Sequence, residues 1–320
     1  MRKLAIALTM LSALPVFAQQ APPEIPYDAV NPLTLPPDLN LGEAAGVALN
    51  SKGHIFVYHR GGHTQLLEFD ANGKFIREIG KDLYGFAFAH VVRIDKDDNI
   101  WCVDEGSNMV IEFNPEGHVI MLIGRKPESV EGAPAAPRAE PPPARDNLFN
   151  RPTDVAWDAA GNSYISDGYA NSRVAKVDKD GAWVKSWGKR GTAPGEFHTV
   201  HSIAVDASGK VYVGDRENRR IQIFDSNGEF LKQWTNVGAP WAVCITPGPK
   251  QVLYTSDSVP GRIYKLDLEG NILGVFGKAG KRPGQFGWVH EIACPSENTL
   301  YVGEILNWRV QKLTLHPAQR

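Results

Sequence analysis

One apolar unit recurs six times along the chain, and that repetition limits the fold more than any other feature. Aligned on Val47, Val92, Val155, Ile203, Val243 and Ile292, the copies read VALNSKGHIFVYHR, VRIDKDDNIWCVDEG, VAWDAAGNSYISDGY, IAVDASGKVYVGDRE, VCITPGPKQVLYTSD and IACPSENTLYVGEIL. Each is a short apolar strand, a turn rich in Asp, Gly, Asn and Lys, and a second strand, which is the pattern of an antiparallel hairpin. Four copies run on into KFIREIG, HVIMLIG, AWVKSWG and NILGVFG, which supply outer strands. A period of roughly forty to fifty residues built from such strands is that of a propeller blade. The expectation is an all-β, six-bladed β-propeller.

One interval between copies is too long, and the excess falls at 126–146, a stretch of Pro, Ala and charged residues. Such a stretch cannot donate a regular ladder or bury a core, so it reads as an insertion between blades 2 and 3, either a flexible excursion or a rim of the binding face. The last copy ends near Leu315, short of a full blade. A strand from between Tyr27 and Leu41 is expected to complete it, closing the ring and leaving no long edge exposed. The organisation is then a signal peptide over 1–18, a ring-closing segment over 19–41 and the propeller over 42–320. Arg2 and Lys3 precede an apolar run from Leu4 to Phe17 that ends in Val-Phe-Ala, which predicts cleavage after Ala18 and export to periplasm or medium. The run is short for a membrane span.

With 42% apolar residues in 320, the chain can bury the core of one all-β domain. Setting aside Arg2 and Lys3 leaves 32 of the 34 basic side chains against 36 acidic ones, four short, and no basic block remains. That balance excludes nucleic acid as a partner. The reading is of a monomer that binds no membrane once the signal is removed. Cys102, Cys244 and Cys294 lie in predicted inner strands. An exported chain with three cysteines permits one disulfide, but all three read as small apolar core fillers.

His90, His201 and His290 each stand two residues before an anchor, in blades 2, 4 and 6. The matching positions of blades 1, 3 and 5 hold Ala45, Thr153 and Trp241. Innermost strands line a propeller's axis, so three imidazoles would converge there with pseudo-threefold symmetry. Three histidines leaving a fourth position open are a catalytic zinc pattern. His54, His59, His118, His198 and His316 share no such register and read as packed or hydrogen-bonded residues. Asp104, Asp167, Asp215 and Asp257 recur at similar turns, which marks them as structural holders of blade corners.

The segments VYHRGGH at 57–63, RPTDVAWD at 151–158, SDGYANSR at 166–173, VHSIAVD at 200–206, DRENRRIQIF at 215–224 and VHEIA at 289–293 resemble the peptidyl-α-hydroxyglycine α-amidating lyase family. That family is a branch of the NHL-repeat propellers. The resemblance runs from about Gly46 to Leu313. It implies a zinc-dependent lyase that cleaves a peptide ending in α-hydroxyglycine to the peptide amide and glyoxylate, the last step of C-terminal amidation in animals. It further implies zinc on His90, His201 and His290, a catalytic tyrosine at Tyr169 and an essential arginine at Arg60. A structural calcium would sit on the carbonyls of Val47 and Val92 and the side chain of Glu291, where the family usually has Asp. Ala170 stands where the animal enzymes carry a bridged cysteine.

The residue types suit that chemistry. Cleaving a carbinolamide requires the hydroxyl proton to leave while the amide nitrogen departs. Zinc favours the alkoxide as a Lewis acid. Tyr169 is expected to act as base, its phenol acidified by a neighbouring cation, with Arg60 as that cation. The bland alternatives are a rim aromatic for Tyr169 and an ion pair with Glu43 or Glu105 for Arg60. Two other functions fit the same fold: an exported propeller hydrolase of the lactonase kind, and an NHL binding module for peptide or envelope protein with a structural zinc.

Overall fold

The computed structural model describes residues 21–127 and 144–316. They form six four-stranded antiparallel sheets, the blades of a β-propeller, and no helix appears among the described residues. Turn chemistry explains why the chain folds back so regularly. Asp70, Asp178, Asp225 and Asp267 each open a hairpin, their carboxylates accepting the N–H groups two and four residues on. The glycine three residues after each Asp takes the left-handed backbone that closes such a turn.

Blades 1 to 5 each use four consecutive strands. Blade 4 supplies an outer strand, Phe230–Trp234, that its sequence did not announce because it lacks the terminal glycine of the others. Blade 6 is completed from the other end of the chain, as expected. Tyr27–Val30 pairs antiparallel with Arg309–Leu315, placing Tyr27 opposite Leu315 and Val30 opposite Lys312. The expected signal peptide at 1–18 and most of the expected insertion, 128–143, lie outside the described residues.

The apolar core is divided into six wedges, one between each pair of neighbouring blades. Tyr164, Tyr212 and Tyr254 occupy one register position in three blades, Tyr58 stands two residues past it in blade 1, and all four are fully buried. Their hydroxyls reach Asp104, Asp158, Asp206 and the Glu297 carbonyl. A buried aromatic body with a satisfied hydroxyl contributes on the order of 1.5–3 kcal/mol.

The cysteines are not all core fillers. Cys244 on the inner strand of blade 5 and Cys294 on that of blade 6 form a disulfide, closing a loop of 50 residues, while Cys102 is free and buried. Both bridged residues face the same seam, where blade spacing brings their Cα atoms to 6.2 Å.

Candidate metal centre and active site

Each of the three axial histidines sits in a β-bulge on an inner strand. Pairing to the next strand shifts between Ala89 and Val91, between Val200 and Ser202, and between Val289 and Glu291, which leaves His90, His201 and His290 as the extra residues. A bulge frees one residue from the ladder and re-aims its side chain, here toward the axis. The ring centroids of His90, His201 and His290 lie 4.5–5.0 Å apart. One nitrogen from each falls within 4.8 Å of the others, and all three residues are buried.

The alternate blades set the ring orientation. The Nδ1–H of His201 donates to the Trp241 carbonyl at 2.7 Å and that of His290 to the Ala45 carbonyl at 2.8 Å. His90 faces the Thr153 carbonyl in the same way, too loosely for a full hydrogen bond. The matching positions of blades 1, 3 and 5 thus orient the histidines of blades 6, 2 and 4, leaving Nε2 of His201 and His290 for a ligand role. Burial lowers all three pKa values, reinforced at His90 by the other two histidines and Arg60, and at His201 and His290 by Arg216 and Arg60; that of His290 falls to about 3. Neutral imidazoles are the form a metal needs. The donor set, three buried neutral imidazoles, fits zinc.

Tyr169 enters from the loop after the second strand of blade 3. Its hydroxyl lies 3.1 Å from His201 Nε2 and 3.4 Å from His90 Nε2, so the three imidazoles and the phenol meet at one point. The expectation of an acidified phenol is not met by the protein groups alone. Burial raises the Tyr169 pKa, Arg216 opposes this most strongly, Glu105 adds to it, and Arg60 acts last against it. Arg60 lies 2.6 Å from Glu43 and 3.9 Å from Glu105, and its guanidinium stacks on Phe88 at 3.9 Å. The ion pairs foreseen as its bland alternative exist, and Arg60 still acts on His90, His290 and Tyr169.

Arg216 was missed in the sequence. Its guanidinium lies 5.5 Å from the Tyr169 ring and 4.5 Å from the Trp241 ring. A signal was present. Strand pairing sets His59 of blade 1 at the same corner as Asp215 of blade 4, so Arg60 and Arg216 are both the first residue past the corner. Blades 1 and 4 stand on opposite sides of the ring, and the two guanidiniums flank the centre. Arg151 also stacks on Tyr169 at 4.6 Å while paired with Glu105. The four aspartates do hold corners: Asp104, Asp167 and Asp215 accept backbone N–H groups from the loops beside them, as Asp257 does from Ala239.

At the place expected for calcium, the backbone N–H groups of Val47 and Val92 both point at Glu291 Oε2, at 3.1 and 3.3 Å. A cation is already present in the form of Arg93, 3.0 Å from Glu291 Oε1 and gripping both oxygens of Asp154 at 2.9 and 2.7 Å. Gly46 lets the strands close this tightly, because a Cβ there would lie 2.5 Å from Val92 N.

Residues 197–224 match the model of the NHL repeat. The chain is 30% identical over 309 residues to peptidyl-glycine alpha-amidating monooxygenase B of Xenopus laevis, covering 83% of this chain and 33% of that protein. It is 24% identical over 314 residues to a probable peptidyl-alpha-hydroxyglycine alpha-amidating lyase of Caenorhabditis elegans, covering 87% and 84% of the two chains. The chain spans about a third of the length of the monooxygenases it matches. Virginiamycin B lyase of Staphylococcus aureus superposes with a TM-score of 0.61 at 14% identity over 92% of this chain and 100% of that one, a likeness of fold.

Proposed function

Because the chain belongs to the peptidyl-α-hydroxyglycine α-amidating lyase family, a branch of the NHL-repeat propellers, we propose that it is a zinc-dependent lyase that releases glyoxylate from a peptidyl-α-hydroxyglycine. The observation that carries this reading is the convergence of three buried, neutral imidazoles with the Tyr169 hydroxyl between two arginines. His90, His201 and His290 would hold the zinc. When bound, the metal supplies a Lewis acid that favours loss of the substrate's hydroxyl proton.

Tyr169 takes that proton. The O–H electron pair becomes the C=O of glyoxylate, the C–N bond breaks onto nitrogen, and the phenol returns the proton to the leaving amide. Burial alone keeps the phenol protonated, so its turn as base depends on positive charge nearby. Arg216 and Arg60 provide part of it, and their planar forks suit the substrate's carboxylate.

Export to an oxidising compartment is part of the proposal, and the Cys244–Cys294 disulfide supports it. The decisive assay offers zinc-loaded protein a peptide ending in α-hydroxyglycine and measures glyoxylate and peptide amide. Stoichiometric release of both is expected. A zinc-loaded protein that turns over no such peptide would sink the lyase reading and leave a binding module.

A further inference from the structure

The mouth of the metal centre is divided into two halves of different chemistry. Blades 1 to 4 present mainly charge: Arg60, Glu105, Arg151 and Arg216 surround the phenol and the imidazoles, and the aromatic there, Phe88, lies beneath the Arg60 guanidinium. Blades 5 and 6 present aromatic carbon. The Trp241 ring stands 5.1 Å from His201 and 6.1 Å from His290, and Trp288 stands 5.2 Å from Trp241 on its outer side. An aromatic ledge therefore runs from the buried centre to the surface, where Trp288 is 36% exposed. Val259, Leu306 and Trp308, on loops of the same two blades, are exposed as well.

Trp288 is a costly residue for its backbone. Its φ is +58°, a region that favours Gly or Asn and disfavours bulky side chains. Arg151 and Thr199 take the same left-handed conformation two residues before the matching positions of blades 3 and 4, so the turn belongs to the fold while the side chain is free to vary. At that position blade 3 places an arginine over Tyr169 and blade 6 places an indole on the ledge.

Resting on the lyase reading, we propose that Trp288 and Trp241 form the subsite for the acyl group on the hydroxyglycine nitrogen, and that this subsite selects substrates whose acyl group is aromatic or large and apolar. A peptidyl-α-hydroxyglycine has one anionic end and one acyl end on either side of the bond that breaks. With the carboxylate on the arginines, the acyl group has the tryptophan ledge opposite, and stacking on indole rewards a flat apolar group. Trp288 touches no reacting atom. It sets specificity, and its effect belongs in KM more than in kcat.

The test compares N-benzoyl- with N-acetyl-α-hydroxyglycine as substrates, and the matching N-acylglycines as unreactive competitors whose Kd is read by calorimetry. The wild type should favour the benzoyl compound by about tenfold or more in kcat/KM, chiefly through KM, and the benzoyl competitor by a similar factor in Kd. Trp288→Asn suits the left-handed backbone; it should bring both ratios close to one. Trp288→Phe should restore most of the preference. Equal affinity of the wild type for the two competitors, or a preference that survives Trp288→Asn, overturns the subsite. The competitor arm holds without turnover, so an inactive protein that still prefers the benzoyl ligand refutes the lyase reading and not the ledge.

Discussion

Tyr169→Phe removes the one oxygen that lies between two of the three imidazoles and leaves the ring that Arg151 and Arg216 stack upon. The variant should keep its fold and its zinc while losing about 10²-fold or more in turnover. Arg216→Lys should fall nearly as far, since an ammonium keeps the charge but not the fork, and the double variant should lose little more than either single one. Full activity in Tyr169→Phe would show that another group takes the proton. His59 offers a separate test in stability. It stands where the other blades have an acidic corner residue, and its Nδ1 accepts the Gly42 N–H at 3.1 Å. Burial lowers its pKa from 6.5 to about 4. Between those values the unfolded chain binds a proton that the folded one refuses, so this contribution is complete above about pH 6.5 and is lost as pH falls toward 4. His59→Asn keeps an acceptor without a titrating ring. From pH 7 to pH 5 the wild type should lose roughly 2 kcal/mol more stability than the variant, as read by denaturant unfolding, and parallel losses would refute the assignment.

At the scale of strands, the inner ladder of blade 2 carries the group that ties the ring together. Arg93 follows Val92 and bonds Asp154 of blade 3 and Glu291 of blade 6, with the carbonyls of Ile292 and Val243 at 3.5 and 3.4 Å. Asp154 in turn accepts from Ser202 and Ile203 of blade 4, and Glu291 from Val47 of blade 1. Four inner strands therefore meet at one guanidinium, and its two carboxylate partners tie in the other two. Added calcium should leave the Tm of calcium-free, zinc-loaded wild type unchanged, because the cation is already covalently part of the chain. Arg93→Ala strands two buried carboxylates, at a cost of about 3–5 kcal/mol, and calcium should recover part of that loss. A rise of several degrees in wild-type Tm with calcium would mean that the ion finds donors beyond this hub. The histidine register and the blade count were legible because both follow the repeat. The bulges that aim the histidines were not, since an extra residue in a strand leaves no mark on apolar spacing. The Cys244–Cys294 bridge was hidden for a related reason: repeat alignment gives the layer of each cysteine, whereas pairing depends on the distance between neighbouring blades. Glu291 and Arg93 could have been paired only by knowing that blades 6 and 2 converge across the axis.

For the whole molecule the critical question is closure, because a propeller left open has one blade with an unpaired edge. The segment before blade 1 straps three blades. Pro23 and Ile25 exchange backbone hydrogen bonds with Val275 of blade 5, Tyr27–Val30 completes blade 6, and the Thr34 N–H reaches Gly73 of blade 1. Ile25 is buried in the wedge between blades 5 and 6, and Leu33 in the wedge between blades 6 and 1. The need for such a strand was readable from the short last repeat, whereas its reach onto blades 5 and 1 was not, because single backbone bridges leave no periodic trace. Closure also bears on the metal centre: His290 lies on blade 6 and its orienting carbonyl, Ala45, on blade 1, so the two are held together by the seam the strap closes. A chain starting at Pro32 should therefore expose the edge of Arg309–Leu315, aggregate more readily and melt roughly 10 °C lower, as expected for a loss of a few kcal/mol in a domain of this size. It should also bind zinc more weakly, since His290 loses its fixed orientation. A chain starting at Ala21 retains every strap contact found among the described residues and should match the full-length protein on all three measures. If the Pro32 chain keeps the same Tm and zinc content, the ring closes without its N-terminal strand, and the seam between blades 6 and 1 is held by side-chain packing alone.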